Sequence, residues 1–103
     1  MMVYMVITSY PLKSTLEAGK VFANSFASPM SHVKSIGMWV SYGGDGIATY
    51  SVLELEKGHE DEAMKELVSY FVQYYDIEGY QVDVIPVAKA EDALSILGIT
   101  PPS

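Results

Sequence analysis

The chain has no cysteine and no arginine. The first absence removes disulfides, thiolate zinc sites, iron–sulfur clusters and cysteine nucleophiles together, and it is compatible with a reducing compartment. The second removes the planar, bidentate donor favoured for phosphate, carboxylate and guanine recognition. The basic residues are six lysines, Lys13, Lys20, Lys34, Lys57, Lys65 and Lys89, set against 13 acids for a net charge of -7. Binding a nucleic-acid backbone needs clustered cations that displace counterions, and this field has the opposite sign. Nucleic acid is not an expected partner. No stretch approaches the roughly 20 apolar residues that span a bilayer. The start, MMVYMVITSYPL, lacks a cationic n-region and a small-residue cleavage site, so no signal peptide is expected. A soluble, cytoplasmic protein without membrane contact is the expectation.

What is present suits one core. At 103 residues, half of them hydrophobic and 12% aromatic, the chain allows a single domain over 1–103. A chain of this size buries roughly two-thirds of its unfolded surface, enough to fold without staples. Charge is uneven. Residues 1–50 carry three lysines against Glu17 and Asp45, whereas 51–103 carry three lysines against eleven acids. Most of those acids surround a predicted second helix, where they form a solvated face.

Val3 to Ser9 (VYMVITS) is β-branched, aromatic and apolar, and Tyr10-Pro11 ends it as a buried strand. Ser14-Thr15-Leu16-Glu17 has the form of a capping box. The helix it opens is expected to bury Leu16, Ala23 and Phe26, flanked by Phe22 and Ala27, until Ser28-Pro29 stops it. His32 to Tyr42 and Ile47 to Leu55 read as a hairpin around Gly43-Gly44-Asp45-Gly46, whose glycines supply positive φ. A second helix begins near His59-Glu60-Asp61-Glu62, with acids opposing its dipole and Met64, Leu67, Val68, Phe71, Val72 and Tyr75 as its apolar stripe. Asp76 to Gly79 leads to a last strand, Tyr80 to Val87. A short helix, Lys89 to Leu97, ends at Gly98.

The order β-α-β-β-α-β plus a terminal helix is the split βαβ arrangement. Right-handed crossovers place both long helices on one face of a four-stranded antiparallel sheet of order 4-1-3-2. Fold class is therefore α+β, ferredoxin-like. Both alternating sets of the first strand are apolar, Val3, Met5 and Ile7 against Tyr4, Val6 and Thr8. The helix-free face then needs a cover, and homodimerisation is the economical solution. Ile47, Thr49, Ser51 and Leu53 of the third strand oppose Ala48, Tyr50, Val52 and Glu54, and neither set declares itself the core side.

In element order, size and two-sided strands, residues 3–87 resemble the dimeric α/β-barrel superfamily, whose ferredoxin-like protomers pack sheet against sheet. That group includes small monooxygenases, haem-degrading and dye-decolourising enzymes, lactone isomerases and many proteins of unknown role. The resemblance implies architecture more than activity. Its cofactor-independent monooxygenases often pair a tryptophan with asparagine, histidine or tyrosine. Asn24, His32 and Trp39 do not follow the haem-degrading order of asparagine, tryptophan, histidine, so no haem or other cofactor is expected.

The candidate chemistry is sparse. His32, at the mouth of the second strand, is a proton carrier by its ordinary pKa or a plain half-exposed histidine. Trp39 with Tyr42 lines a pocket for a planar ligand, or fills the core or dimer interface. Tyr4, Thr8 and Tyr10 share one side of the first strand and would offer hydroxyls to a cavity there. Asp83, on a side with Gln81, is a base near Tyr4 or Thr8 if enclosed, or an edge charge that discourages unwanted pairing. His59 with Glu62 or Glu66 is expected to have no second histidine nearby, and no metal is expected there. Gly43-Gly44-Asp45-Gly46 joins two strands and is a turn, not a phosphate loop.

Three functions follow as expectations: a homodimeric protein binding a small apolar or aromatic ligand through Tyr4, Thr8, Tyr10, His32, Trp39 and Tyr42; a cofactor-independent monooxygenase or isomerase with His32 or Asp83 as the catalytic candidate and Trp39 and Tyr42 beside them; or an interaction module whose apolar face only makes a dimer.

Overall fold

The computed structural model describes residues 2–25 and 30–98. Strand β1 (Met2–Tyr10) leads through a 3-10 turn, Leu12–Ser14, into helix α1 (Thr15–Ser25). A hairpin follows, β2 (Val33–Gly43) and β3 (Gly46–Leu55), then α2 (Glu60–Val72), β4 (Gln81–Val87) and α3 (Ala90–Ile96). The four strands form one antiparallel sheet in the order β2-β3-β1-β4. The strand order agrees with the expectation, because β1 pairs with both β3 and β4.

Alternation sorts the two faces. Tyr4, Val6 and Thr8 of β1 are buried, and so are Ile47, Thr49, Leu53 and Leu55 of β3. Tyr4, Val6, Leu53 and Leu55 form one core cluster with Ala63 and Leu67 of α2. Ala18 of α1 forms a second with Tyr74 and Ile77, against which Tyr10 and Tyr80 pack. The ambiguity in β3 is thus resolved: the Ile47–Leu53 set of odd-numbered residues faces the helices. The opposite face carries Val3, Met5 and Ile7, with Val52 and Tyr50 from β3, Trp39 from β2, and Ile85 and Val87 from β4. Trp39, Tyr50, Ile85 and Val87 are exposed on it.

Several local expectations are corrected. No capping box forms at Ser14, because the 3-10 turn starts the helical path earlier. The Ser14 N–H donates to the Pro11 carbonyl at 2.9 Å, and its buried hydroxyl donates to the Glu78 carbonyl at 2.7 Å. Helix α1 buries Ala18 and Ser25, with Val21 and Phe22 half-buried, while Leu16 is 71% exposed and Ala23 is exposed. The buried stripe is turned from the expected one, since Ser14 tied to Glu78 sets the rotation of the helix. Phe26, Ala27, Ser28 and Pro29 lie outside the described residues.

The stripe on α2 is turned as well. Ala63, Leu67 and, in the turn beyond the helix, Tyr74 are buried, whereas Val68 and Val72 are exposed and Tyr75 is 86% exposed. The tyrosines decide this: Tyr70 and Tyr74 have hydroxyls that find each other at 3.0 Å inside the fold, so a side reading as polar in the sequence is the inner one. In the hairpin turn Gly46 has a positive φ, 139°, and Gly43 and Gly44 do not.

Candidate functional site

Between the sheet and the two long helices lies a cavity of about 370 Å³. Its floor is Val6, Thr8 and Tyr10 of β1, with Thr49, Ser51 and Leu53 of β3. Met38 and Val40 of β2 close one flank, Phe22 and Gly19 of α1 the opposite one, and Phe71, Tyr70 and Tyr74 the α2 side. The cavity survives because small residues, Ser35, Ser51, Thr8 and Thr49, stand on the sheet where branched aliphatics would fill the space. Thr8 and Thr49 are opposite in the β1–β3 register and share a hydroxyl–hydroxyl hydrogen bond. Each hydroxyl thereby satisfies the other in an otherwise apolar floor.

One wall is aromatic. Tyr80 stacks on Tyr74 with centroids 4.6 Å apart and planes 12° from parallel, and Tyr10 lies on it at 6.1 Å and 11°. Tyr70 meets Phe71 edge to face at 5.0 Å. Burial pushes the Tyr74 phenol up strongly, reinforced by its hydrogen bond with Tyr70. Burial also pushes Tyr80 up to about 12, against the opposing effect of its hydrogen bond with Thr8. Tyr10 is raised by burial and by Tyr42. These three phenols are neutral at ordinary pH, and they act as hydroxyl donors and acceptors on a hydrophobic wall. Among the described lining residues there is no carboxylate, imidazole or amine. The arrangement can enclose a flat apolar molecule and offer it a few hydroxyls, and none of these lining groups is poised for proton transfer near neutrality.

The residues singled out in the sequence separate into four places. Thr8 and Tyr10 line the cavity. Tyr4 is buried beyond it in the core cluster with Leu53 and Leu67. Trp39, 59% exposed, lies on the other sheet face opposite Tyr50, its ring folded over Gly37. Tyr42 borders a separate open groove with Tyr10, Asp45 and Gln81. Asp83 is exposed on the edge strand, opposite Ile7, and so points away from Tyr4 and Thr8. Tyr70, Tyr74, Tyr80, Phe22 and Met38 were not singled out. Their available signal was the crowding of tyrosines between 70 and 80, which is meaningful only once α2 and β4 are folded together.

His32 enters a different cluster. Its ring N–H donates to Glu56 Oε2 at 2.5 Å, and its backbone N–H donates to both Glu66 oxygens at 3.0 and 3.1 Å. The His59 ring stacks on it at 4.5 Å and 8°. The hydrogen bond with Glu56 raises the His32 pKa and lowers that of Glu56. A second histidine does stand beside His59, brought there by the fold from 27 positions earlier in the chain. Donor atoms of His32, Glu56 and His59 lie within 4.8 Å of one another, near enough to hold a metal ion.

Fold and cavity together define a small α+β domain on a four-stranded antiparallel sheet, with a pocket roofed by helices. No helix among the described residues is long and apolar enough to cross a membrane. No family model and no curated protein matches the chain. Its structure is similar to an unknown protein from Galdieria sulphuraria, with a TM-score of 0.52 and 11% identity over 86% of this chain and 46% of that one. It is also similar to the C-terminal domain of the MgtC protein from Mycobacterium tuberculosis, with a TM-score of 0.50 and 14% identity over 88% and 95% of the two chains. The chain spans about half the length of the Galdieria protein, 46%. At such identities the likeness is one of fold.

Proposed function

We propose that this chain is a cytoplasmic, ferredoxin-like protein of the dimeric α/β-barrel kind, which binds a small apolar or aromatic ligand between its helices and its sheet. The observation that carries the reading is the cavity of about 370 Å³, walled by Phe22, Phe71, Tyr74 and Tyr80 and floored by the paired Thr8 and Thr49 hydroxyls. Its volume falls in the ordinary range for small-molecule sites, as does its mixture of apolar walls with a few convergent hydroxyls. The stacked tyrosines favour a planar ligand, which would extend an existing stack. The apolar outer face of the sheet supports the homodimer, because a patch of that kind normally meets a partner.

A catalytic role as a monooxygenase or isomerase has less support, since His32 and Asp83 stand outside the cavity lining. A purely structural role would be favoured by Tyr4, Trp39 and Tyr50 interlocking without a void, and Tyr4 lies on the opposite face from the other two. The test is binding of the neutral fluorophore N-phenyl-1-naphthylamine to the purified protein and to Ser51→Phe, which would fill the cavity floor. Enhanced, saturable fluorescence lost in a folded Ser51→Phe protein is the expected result. Equal binding by both proteins, or none by the wild type, would overturn the reading. Native mass spectrometry of freshly purified protein then reports the dimer and the mass of any retained compound.

A further inference from the structure

We propose that His32, Glu56 and His59 form a binding site for one divalent transition-metal ion of the zinc type. The chain contains two histidines, and both meet at this one place beside a carboxylate. Backbone hydrogen bonds fix all three positions. The β2–β3 ladder continues one step beyond Val33 and Leu55, where the Glu56 N–H donates to the His32 carbonyl at 2.9 Å. His32 and Glu56 are therefore side by side. A tight turn follows, in which the His59 N–H donates to the Glu56 carbonyl at 3.0 Å and Gly58 takes a φ of 88°. The His59 carbonyl then accepts the Ala63 N–H at 2.9 Å and opens α2. Sheet, turn and helix start thus bring donor atoms of two imidazoles and a carboxylate within 4.8 Å of one another.

A second layer holds the first. Glu66, one turn and a half along α2, clamps the His32 backbone N–H with both oxygens. It acts as a positioning residue that fastens the segment before β2 to the helix. Glu62 approaches His59 Nδ1 at 3.9 Å and offers a further oxygen ligand. Tetrahedral zinc, with bonds of about 2.0–2.1 Å, needs its donors about 3.3 Å apart. The His32 and His59 rings lie parallel at 4.5 Å, so binding turns the exposed His59 ring out of the stack and draws the donors, now within 4.8 Å of one another, to that separation together with Glu56. The ion takes the place of the proton on His32 Nδ1 that faces Glu56; from the imidazolium that proton leaves to solvent and the ring keeps its Nε2 proton, and from the neutral ring it moves to Nε2. Two nitrogens and one oxygen suit zinc, cobalt or nickel and disfavour magnesium and calcium, which prefer all-oxygen sets.

The probe is Co²⁺ added to full-length protein freed of metal by a chelator, followed by visible ligand-field absorption and by the imidazole proton shifts. One ion per chain, perturbing both histidines and displaced by Zn²⁺ but not by equimolar Mg²⁺, is the expected result. His59→Ala changes an exposed side chain and should stay folded, while losing more than about tenfold in affinity, beyond the lower end of losses seen for outer-layer partners alone. Glu56→Gln should weaken binding similarly while retaining the shape of the side chain. Absence of Co²⁺ absorption, displacement by Mg²⁺, or unchanged affinity in folded His59→Ala and Glu56→Gln proteins would overturn the proposal.

Discussion

Tyr80 lies flat against Tyr74, their centroids 4.6 Å apart and their planes within 12°, although one ring follows helix α2 and the other precedes strand β4. Gly79 makes this possible. Its φ of 75° reverses the chain, and a Cβ there would sit 2.6 Å from Pro11 Cδ. The reversal delivers Tyr80 between Tyr74 and Tyr10, so the end of β1 joins the segment after α2 in one aromatic stack. That stack is both the end wall of the cavity and the joint between helix layer and sheet.

Truncating Tyr74 separates those contributions. Tyr74→Phe keeps the ring and removes the hydroxyl bond of 3.0 Å to Tyr70, at an expected cost of about 0.5–1.5 kcal/mol. Tyr74→Ala also opens a void among Ala18, Ile77 and Tyr80. It should cost about 3–5 kcal/mol, the usual range for a buried aromatic. Against a total stability of about 5–15 kcal/mol, the alanine variant sits near the edge of folding and the phenylalanine variant does not. Urea unfolding of the two variants measures the gap. Equal losses would mean that the stack adds little to the hydroxyl pair.

The same burial sets an alkaline limit. Tyr80 rises from 10.0 to about 12, chiefly by desolvation. Between those values the unfolded chain has lost a proton that the folded protein keeps, so stability falls as pH rises. The contribution is fully present below pH 10 and is lost by about pH 12. Tyr74 acts in the same direction. Ultraviolet phenolate absorbance should therefore show Tyr74 and Tyr80 ionising only together with loss of helical circular dichroism. Ionisation of Tyr74 and Tyr80 near pH 10, with structure intact, would contradict the packing.

The sequence carried the sheet better than the site. Strands announce themselves by β-branched runs and turns, and the pairing order follows from crossover handedness. Helix rotation was harder. In α2, Val68 and Val72 are as apolar as Leu67, yet they face solvent, because Tyr70 and Tyr74 can satisfy each other's hydroxyls inside. Composition cannot display that pairing before the tertiary contact exists. The histidine cluster was hidden for a related reason. Along the helix His59 is spaced to meet Glu62 and Glu66, whereas His32 and Glu56 reach it across the β2–β3 ladder. Cross-strand neighbours leave no fixed spacing in a sequence.

Glycine offers a sharper contrast between positions. Gly19 is inside α1, and an added Cβ there meets nothing within 4 Å. Gly19→Ala should stabilise the protein by about 0.5–1 kcal/mol, the helical advantage of alanine. Gly46 has a φ of 139°, and a Cβ there would run into the Tyr10 carbonyl oxygen and lie 3.1 Å from Pro11 Cα. Gly46→Ala should cost about 1–3 kcal/mol through backbone strain. Thermal melts of both variants decide the matter, and a shift of the same sign in each would refute the assignment of the two environments.

The outer sheet face makes the last expectation. Met5 is at its centre, opposite Val52 on β3 and Ile85 on β4. If two copies meet through this face, Met5→Lys places an ammonium group in a dry interface, and leaving such a charge unpaired is prohibitive. In the isolated chain the lysine would only extend from an already half-buried position into water, with its stem along the neighbouring aliphatics. The substitution should therefore split the dimer while sparing the fold and the cavity behind the sheet. Sedimentation velocity should find the wild type at twice the chain mass and Met5→Lys at the chain mass of 11.3 kDa. Binding of N-phenyl-1-naphthylamine should persist in the variant, since no residue of the outer face contributes to the cavity lining. A wild type that sediments as a monomer would refute the sheet-to-sheet interface. A Met5→Lys dimer would move the contact elsewhere, with the exposed Val68, Val72 and Tyr75 stripe on α2 as the next surface to alter.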